Sequence, residues 1–426
     1  MTYSIIIILL FTTLLFWKGF EKTSVLFLLY NLVDPGVSFI QVLSDKDVVI
    51  IIMLLYILIK RTYKGSCKYP FIICTILSSL SYIISTYYSS DPHMPVTILT
   101  CLEQFSLPYF FFLAMRTSKM RHFFINNLVL FSLMMGFYVI IELISQSHPI
   151  PNYFITLGSS SENLKELLGT GYRYGIMRCM GTFQNGSGLA AFGLYSAGFM
   201  LFFVSGKNNI YKNQHLLLAA VLSCVFCIFV SGFRSGIALI VVIIAFRYLG
   251  MLRKPSNIFL MAVIAVGVYI IGDAMFHNYF NEIFQSIVHS DQAQIGSSQD
   301  MRETQYDIGI YYFLQSPIIG HGTGYTWNYV TQYNPEMYGA ESIWLPLMIE
   351  DGIIGCVAYF LWYIYCYRSL KTFYGLIYLV VIIALNSMTS TVGINMSTWV
   401  SLVIVAHYII KQNHERNEHG QVAIVA

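Results

Sequence analysis

Apolar segments follow one another along almost the whole chain, and most are long enough to cross a lipid bilayer. A membrane helix needs roughly 20 mostly apolar residues. Candidate spans fall at 4–17, 24–43, 47–60, 70–88, 96–115, 123–145, 186–205, 214–231, 235–249, 257–273, 341–366, 372–388 and 396–411. Only 11% of the 426 residues are charged, whereas a soluble domain carries about 25%. We therefore predict an all-α polytopic membrane protein with about 12 or 13 transmembrane helices, arranged as a single integral membrane domain over 1–426.

Charge and cysteine content exclude two further classes of protein. The chain has 24 basic and 21 acidic residues, a formal net charge of +3. So few charges, spread over many loops, form no basic face for a nucleic acid. The 8 cysteines lie mostly within or beside apolar segments, which is not the pattern of a disulfide framework.

The distribution of basic residues predicts the orientation in the membrane. Of the 24 basic residues, all but Lys46, Lys165, Arg173, Arg178, Arg234 and Arg302 fall in alternate short turns or in the C-terminal tail. The positive-inside rule places these turns and the C-terminus in the cytoplasm. The two long hydrophilic loops, 146–185 and 274–340, are then both predicted on the outer side.

The outer loop 274–340 is too long for a simple connection. Within it, Met301–Gln315 mixes apolar and polar residues in a way that suits a helix at the membrane surface. Ser316-Pro317 should end that helix. The glycine-rich stretch Gly320–Gly324 follows, and it can bring the backbone close to a ligand.

The outward arginines are the strongest functional candidates, because they are exceptions to the charge rule. Arg234 lies in a tight turn between two apolar segments, within Ser231-Gly232-Phe233-Arg234-Ser235-Gly236, and has no acidic neighbour in sequence. Its guanidinium can snorkel to the lipid head groups. The alternative is a fixed cation that binds an anion, most naturally a phosphate.

Arg178 stands directly before a predicted span. Small residues such as Gly181 and Gly186 follow it, and a helix N-terminus with exposed N–H groups attracts anions. Arg178 is therefore a candidate for the second half of a phosphate site, with a loop ion pair to Glu162 or Glu166 as the alternative.

Arg302 is the only basic residue in the 274–340 loop and a candidate third cation. A local salt bridge to Asp300, Glu303 or Asp307 is its alternative role.

Two residues are candidates for a general base. Glu341 is preferred, because it opens a span and a partly desolvated carboxylate has a raised proton affinity. Its alternative role is favourable interaction with the helix dipole. His321 is the rival, and a glycine-flanked histidine can equally be an exposed turn residue. Glu350 and Asp351, inside the same span, are predicted as structural partners for an arginine. No metal-ligand spacing appears in the sequence.

Four segments, taken in order, resemble the O-antigen ligase and O-antigen polymerase superfamily of bacterial envelope enzymes. They are RCMGTFQNGSGLAAF (178–192), SGFRSG (231–236), DMRETQYDIGIYYFLQSPIIGHGTGY (300–325) and AESIWLPLMIEDGIIG (340–355). The resembling core covers 178–366 and includes the outer loop.

The resemblance implies a metal-independent inverting glycosyltransferase of the GT-C type without a cofactor. It implies action at the outer face of the bacterial inner membrane, on sugar chains linked to undecaprenyl diphosphate, so that both long loops are periplasmic. Arg178 and Arg234 would hold the diphosphate of the donor. A chain-length regulator protein and membrane lipid are the expected partners.

Three functions compete at this stage. Related ligases usually have a histidine where this chain has Glu341, so the sequence favours a repeat-unit polymerase over a ligase that uses lipid A–core as acceptor. A transporter of lipid-linked sugars is less favoured, because transporters are typically built from repeated halves with ionisable residues at the midplane. No half-repeat is visible in this chain.

Overall fold

The computed structural model describes residues 2–33, 44–60, 69–89, 93–156, 172–173, 176–183, 185–205, 211–248, 299–337, 340, 342–388 and 396–425. These residues are almost entirely helical, which confirms the predicted all-α polytopic architecture. The helices are α1 (Thr2–Lys18), α2 (Phe20–Val33), α3 (Asp45–Lys60), α4 (Ile72–Tyr87), α5 (Met94–Ala114), α6 (Ser118–Ser145), α7 (Pro149–Thr156), α8 (Gly186–Phe199), α9 (Gln214–Val230), α10 (Arg234–Tyr248), α11 (Gln299–Gln315), α12 (Trp344–Leu370), α13 (Phe373–Met388) and α14 (Met396–Val425).

Shorter elements connect some of these helices. A π-helical turn, Met200–Val204, continues α8, and a second one, Thr326–Val330, lies between α11 and α12. One helical turn (Thr331–Tyr333) and one 3₁₀ turn (Pro335–Met337) follow the second π turn. The strands β1 (Tyr172–Arg173) and β2 (Ile176–Met177) form a short antiparallel pair.

Four helices within the described ranges are long and apolar enough to cross a membrane. They are Met94–Ala114, Ser118–Ser145, Gly186–Val204 and Trp344–Leu370. Shorter apolar helices are Tyr3–Lys18, Ile72–Tyr87, Gln214–Val230 and Phe373–Met388. The predicted spans are helical wherever most of their length is described, whereas 34–43 and 257–273 lie outside the described residues. The total number of spans therefore stays a prediction.

Local sequence signals set several helix ends. Asn185 and Asn213 are the N-caps of α8 and α9, and their side-chain oxygens accept from the backbone N–H three residues later at 2.8 and 3.1 Å. Helix α11 ends at Gln315. The prediction that Ser316-Pro317 ends this helix is confirmed, because proline disfavours the helical conformation of the residue before it.

Small residues let the central helices α6, α8 and α9 approach closely. A Cβ atom on Gly193 would lie 2.7 Å from the Cys224 carbonyl oxygen, so only glycine fits between α8 and α9. Between α6 and α9, the Ser223 hydroxyl donates to the Ser132 carbonyl at 2.7 Å. Close backbone approach and interhelical hydrogen bonds are how helices associate where no water drives them together.

Two of the turns predicted to share one side of the membrane do meet at one end of the bundle. Arg121 Nε donates to the Gln412 side chain at 3.0 Å, and His407 Nδ1 donates to the Ser369 carbonyl at 2.8 Å. Both contacts join a basic turn to the C-terminal helix α14, as the alternation of charged turns requires. Which side of the membrane this end faces stays a prediction.

Candidate active site

Arg178 is fixed against the turn between α9 and α10. Its Nε donates to the Ser231 carbonyl at 2.9 Å, and the next residue, Cys179, donates its backbone N–H to the Val230 carbonyl at 3.0 Å. Gly186, the first residue of α8, lies against both partners: a Cβ there would be 2.7 Å from Arg178 Nε and from the Ser231 oxygen. The guanidinium is thus held at the N-terminus of one helix and beside the entry to another.

Arg234 is the first residue of α10, so it follows the tight turn rather than lying in its middle. Gly232 allows this turn, because its φ of +64° is one that side chains with a Cβ rarely adopt. Phe233 precedes the helix, and its side chain cannot accept from the first-turn N–H groups. Gly236 and Ala190 then bring the first turns of α10 and α8 into contact, since a Cβ on Gly236 would lie 3.3 Å from that of Ala190.

Arg178 and the start of α10, where Arg234 lies, are therefore brought to one place. The N-termini of α8 and α10 meet there, and each carries roughly half a positive charge from its helix dipole. Neither helix has an acidic residue in its first turn. The Arg178 guanidinium and the two helix N-termini, one of them opened by Arg234, together make an anion-attracting surface.

The buried carboxylate of Glu142 binds the loop that follows Arg178. Glu142, near the end of α6, accepts from the Gly181 backbone N–H at 2.8 Å and from His148 Nδ1 at 3.0 Å. Gly181 has a φ of +63°, which positions the loop after Arg178. Burial and the nearby Glu142 carboxylate raise the pKa of the Cys179 thiol, so this thiol remains neutral. Glu142 therefore holds the Arg178 loop in place.

A second cluster surrounds a break in α12. Gly352 has φ +59° and ψ −156° inside the helix, a conformation essentially restricted to glycine. The N–H groups released by the break find partners in the segment after α11: Ile353 donates to the Pro317 carbonyl at 2.9 Å, and Ile354 donates to the Ile318 carbonyl at 3.2 Å. Irregular backbone at membrane depth requires such substitute partners.

The carbonyl groups on the other side of the break are occupied by the glycine-rich stretch. His321 N donates to the Ile349 carbonyl, and Gly322 N donates to the Glu350 carbonyl, both at 2.9 Å. Gly320 has a φ of +71° and lies directly on the Glu350 carbonyl, where a Cβ would overlap it. The loop and the broken helix thus form one interlocked unit.

The prediction that Glu350 and Asp351 pair with an arginine is wrong for Glu350. Its carboxylate accepts from the backbone N–H groups of Gly324 and Thr326, at 2.9 and 3.1 Å. Both N–H groups reach Glu350 because the loop lies beside the part of α12 that ends at the Gly352 break. Asp351 is buried, and its Oδ1 makes no hydrogen bond to the described part of the chain.

His321 is fixed in both position and tautomer. Its Nε2 lies 2.9 Å from the Tyr312 carbonyl. A carbonyl oxygen can only accept, so Nε2 carries the hydrogen and Nδ1 is the basic nitrogen of the neutral ring. The imidazole also stacks on Tyr325, with ring centroids 4.5 Å apart. His321 is therefore an oriented residue rather than a freely exposed turn residue.

Two predicted site residues remain, Glu341 and Arg302. Glu341 lies outside the described residues; Ala340 and Ser342, on either side of it, are buried. Arg302 is exposed on α11, ten residues before Tyr312, a separation of about 15 Å along a helix. Within the described ranges, no three His, Cys, Asp or Glu side chains are grouped closely enough to hold a metal ion.

Sequence reasoning missed Glu142 and a row of aromatic rings. No local pattern marks Glu142, because its partner Gly181 is 39 residues away. The rings do have a signal in the sequence: His321, Tyr325, Tyr329 and Tyr333 recur every four residues, the spacing that brings side chains together on a helical face.

Comparison with known proteins gives one family and no close relative. A search of curated proteins finds no match to the chain. Arg234, Arg302, His321 and Glu341 lie within the stretch that a protein-family model matches, whereas Arg178 precedes it. Residues 218–360 match the family model described as O-Antigen ligase, so this part of the chain is similar to the O-antigen ligase and polymerase superfamily.

Proposed function

We propose that the chain is a repeat-unit polymerase that moves a glycan from undecaprenyl diphosphate onto a lipid-linked repeat unit. The observation that carries the proposal is that Arg178 lies between the N-terminus of α8 and the turn before α10, the helix that Arg234 opens. A diphosphate is the part of the donor that such a surface recognises, because it concentrates negative charge on pairs of oxygens that a guanidinium can bind in a bidentate way. The wider family supports ligase or polymerase chemistry in general.

The proposed reaction is a single displacement at the anomeric carbon of the donor sugar. The acceptor hydroxyl oxygen forms the new bond to this carbon while the bond to the diphosphate oxygen breaks. The electron pair of the broken bond leaves with the diphosphate, whose growing charge Arg178 and Arg234 stabilise. The hydroxyl proton passes to a general base, and attack from the opposite face inverts the configuration.

His321 is the candidate base with a defined geometry in the structure. Its Nε2–H is committed to the Tyr312 carbonyl, so Nδ1 is the nitrogen that can take the proton. Glu341 is the base that the sequence pattern prefers, and it stays a prediction. The two assignments predict different variants to be inactive.

The polymerase is preferred to the ligase on the identity of residue 341, since related ligases usually have a histidine there. A transporter is less favoured, although α12 is broken as transporter helices often are. In this chain the groups released at Gly352 bond to the protein's own loop at Pro317 and Ile318. They are therefore not available to a transported solute.

The proposal includes a cellular setting. The protein would lie in the bacterial inner membrane with its C-terminus in the cytoplasm and 146–185 and 274–340 in the periplasm. A chain-length regulator would act beside it. The charge distribution in the sequence supports this orientation.

A lipopolysaccharide gel of a deletion strain tests the proposed function. Loss of a polymerase leaves core that carries a single repeat unit, and the gene on a plasmid should restore the ladder of long chains. Bare core with lipid-linked polymer still made would identify a ligase instead. Bare core without surface lipid-linked polymer would identify a transporter.

A further inference from the structure

Four stacked rings form a row, here called the aromatic row, that begins at the candidate base. His321 stacks on Tyr325, Tyr325 on Tyr329 and Tyr329 packs against Tyr333, with centroid separations of 4.5, 4.9 and 4.9 Å. The row becomes more exposed with distance from His321: Tyr329 is 43% and Tyr333 is 66% exposed. Burial raises the pKa of the Tyr325 phenol to about 12, so this hydroxyl stays protonated in neutral solution.

Amide side chains accompany the exposed end of the row. Asn328 and Gln332 are both exposed, and each directly precedes one of the exposed tyrosines, Tyr329 and Tyr333. Residues four apart lie on the same helical face, so two amides and two phenols form parallel columns. Such a surface offers apolar ring area together with groups that both donate and accept hydrogen bonds.

The segment that carries the row has no acidic side chain, and its only titratable nitrogen base is His321. Residues 321–334 contain no Asp, Glu, Lys or Arg. A surface that binds lipid head groups is typically rich in Lys and Arg. A neutral, hydroxyl-rich ligand with an apolar face fits this composition better than a charged head group does.

The backbone of the row is also unusual. Thr326–Val330 is a π turn, and such turns are rare and frequent at functional sites. The row is anchored at its base by Glu350, which accepts from the N–H groups of Gly324 and Thr326. The rings are therefore presented by a fixed segment and need little ordering when a ligand binds.

We propose that the aromatic row is a saccharide-binding track that receives the sugar chain next to the reacting hydroxyl. The C–H face of a pyranose packs on the ring face of Tyr333, and sugar hydroxyls bond to the phenols and to Asn328 and Gln332. The faces of Tyr325 and Tyr329 are covered by their neighbours in the stack, so the next sugar units pass along the ring edges towards His321. This inference rests on the proposed function for its choice of ligand and adds the subsite that holds it.

Binding of free oligosaccharide to the full-length protein in nanodiscs tests the track independently of turnover. The probe is the oligosaccharide released by mild acid from the strain's own lipid-linked repeat units, and the measurement is a saturation-transfer NMR titration. Tyr333→Leu should weaken binding roughly 2- to 12-fold, the range expected for losing one aromatic contact. Tyr333→Phe keeps the ring and should retain most of the affinity.

Tyr306→Leu is the matched control, because Tyr306 lies on α11 outside the row and is 45% exposed. It should bind the probe like the parent protein. Unchanged affinity in Tyr329→Leu and Tyr333→Leu would overturn the track. An equal loss in Tyr306→Leu would also overturn it, since the effect would then reflect aromatic residues of the surface in general.

The same preparation separates failure of the track from failure of the proposed function. Transfer from a polyprenyl-diphosphate donor with no dependence of oligosaccharide affinity on Tyr333 would refute the track alone. Binding that depends on Tyr333, without any transfer from such a donor, would support the track and refute the polymerase.

Discussion

Replacing Gly352 with alanine should separate the glycine-rich loop from α12. The φ of +59° and ψ of −156° are costly for alanine, about 1–3 kcal/mol. The added Cβ would also lie 2.6 Å from the Ile318 carbonyl and 2.8 Å from Gly320 N. These are backbone atoms, so no side-chain rotation relieves the overlap and the loop must move.

The loop movement lengthens the two hydrogen bonds from Ile353 and Ile354 to the loop, each worth roughly 0.5–1.5 kcal/mol. Together with the backbone strain, Gly352→Ala should destabilise the folded protein by about 2–6 kcal/mol. His321 lies on the displaced loop, and a misplacement of about 1 Å can cost about 10²-fold in rate. Stability is measured as the thermal unfolding midpoint, and activity as polymer formed from purified lipid-linked repeats.

Gly324→Ala is the matched control for this substitution. Gly324 has a φ of +85° in the same loop, but the nearest group to an added Cβ is the flexible Asn328 amide at 3.3 Å. Positive φ alone costs alanine about 1–2 kcal/mol. If Gly352→Ala and Gly324→Ala lower stability and activity equally, the interlocking of loop and helix described above is refuted.

Further substitutions address the anion site, the base and the loop anchor. Arg178→Lys and Arg234→Lys should each lower polymer formation roughly 10- to 100-fold at matched protein levels, because an ammonium cannot replace the two-pronged contact; near-normal polymer in both would favour snorkelling. If His321 is the general base, His321→Ala should lower turnover by about 10²–10⁴-fold. If His321→Ala stays active and Glu341→Gln loses turnover by that factor, Glu341 is the base instead. Glu350→Ala leaves two loop N–H groups without their acceptor and should lower the unfolding midpoint; an unchanged midpoint would contradict its role as anchor.

Local signals allowed much of the helical architecture to be predicted. Proline after Ser316 marks the end of α11, and the predicted span that begins at residue 186 coincides with the start of α8. The outward position of Arg178 and Arg234 is predicted from the charge distribution alone and stays a prediction. These features depend on residues close together in the chain.

The features that escaped prediction depend on distant residues. In sequence, Gly352 is one glycine in an apolar helix, and its role appears only when Ile318 and Gly320 are found packed against it. Glu350 is similar, because its partners Gly324 and Thr326 are backbone groups that any residue type could supply. The meeting of Arg178 with the Ser231 carbonyl spans 53 residues and has no local pattern.

The proposed function requires that the N-termini of α8 and α10, with Arg178 and Arg234, bind a diphosphate. Its most direct test is the affinity of the protein in nanodiscs for undecaprenyl diphosphate. Arg178→Gln and Arg234→Gln should each raise Kd roughly 10- to 100-fold, as expected for losing a charge-assisted contact. Arg368 lies in the last turn of α12, and Arg368→Gln should leave this Kd unchanged. Equal affinities in all three variants and the parent protein would refute diphosphate binding by Arg178 and Arg234.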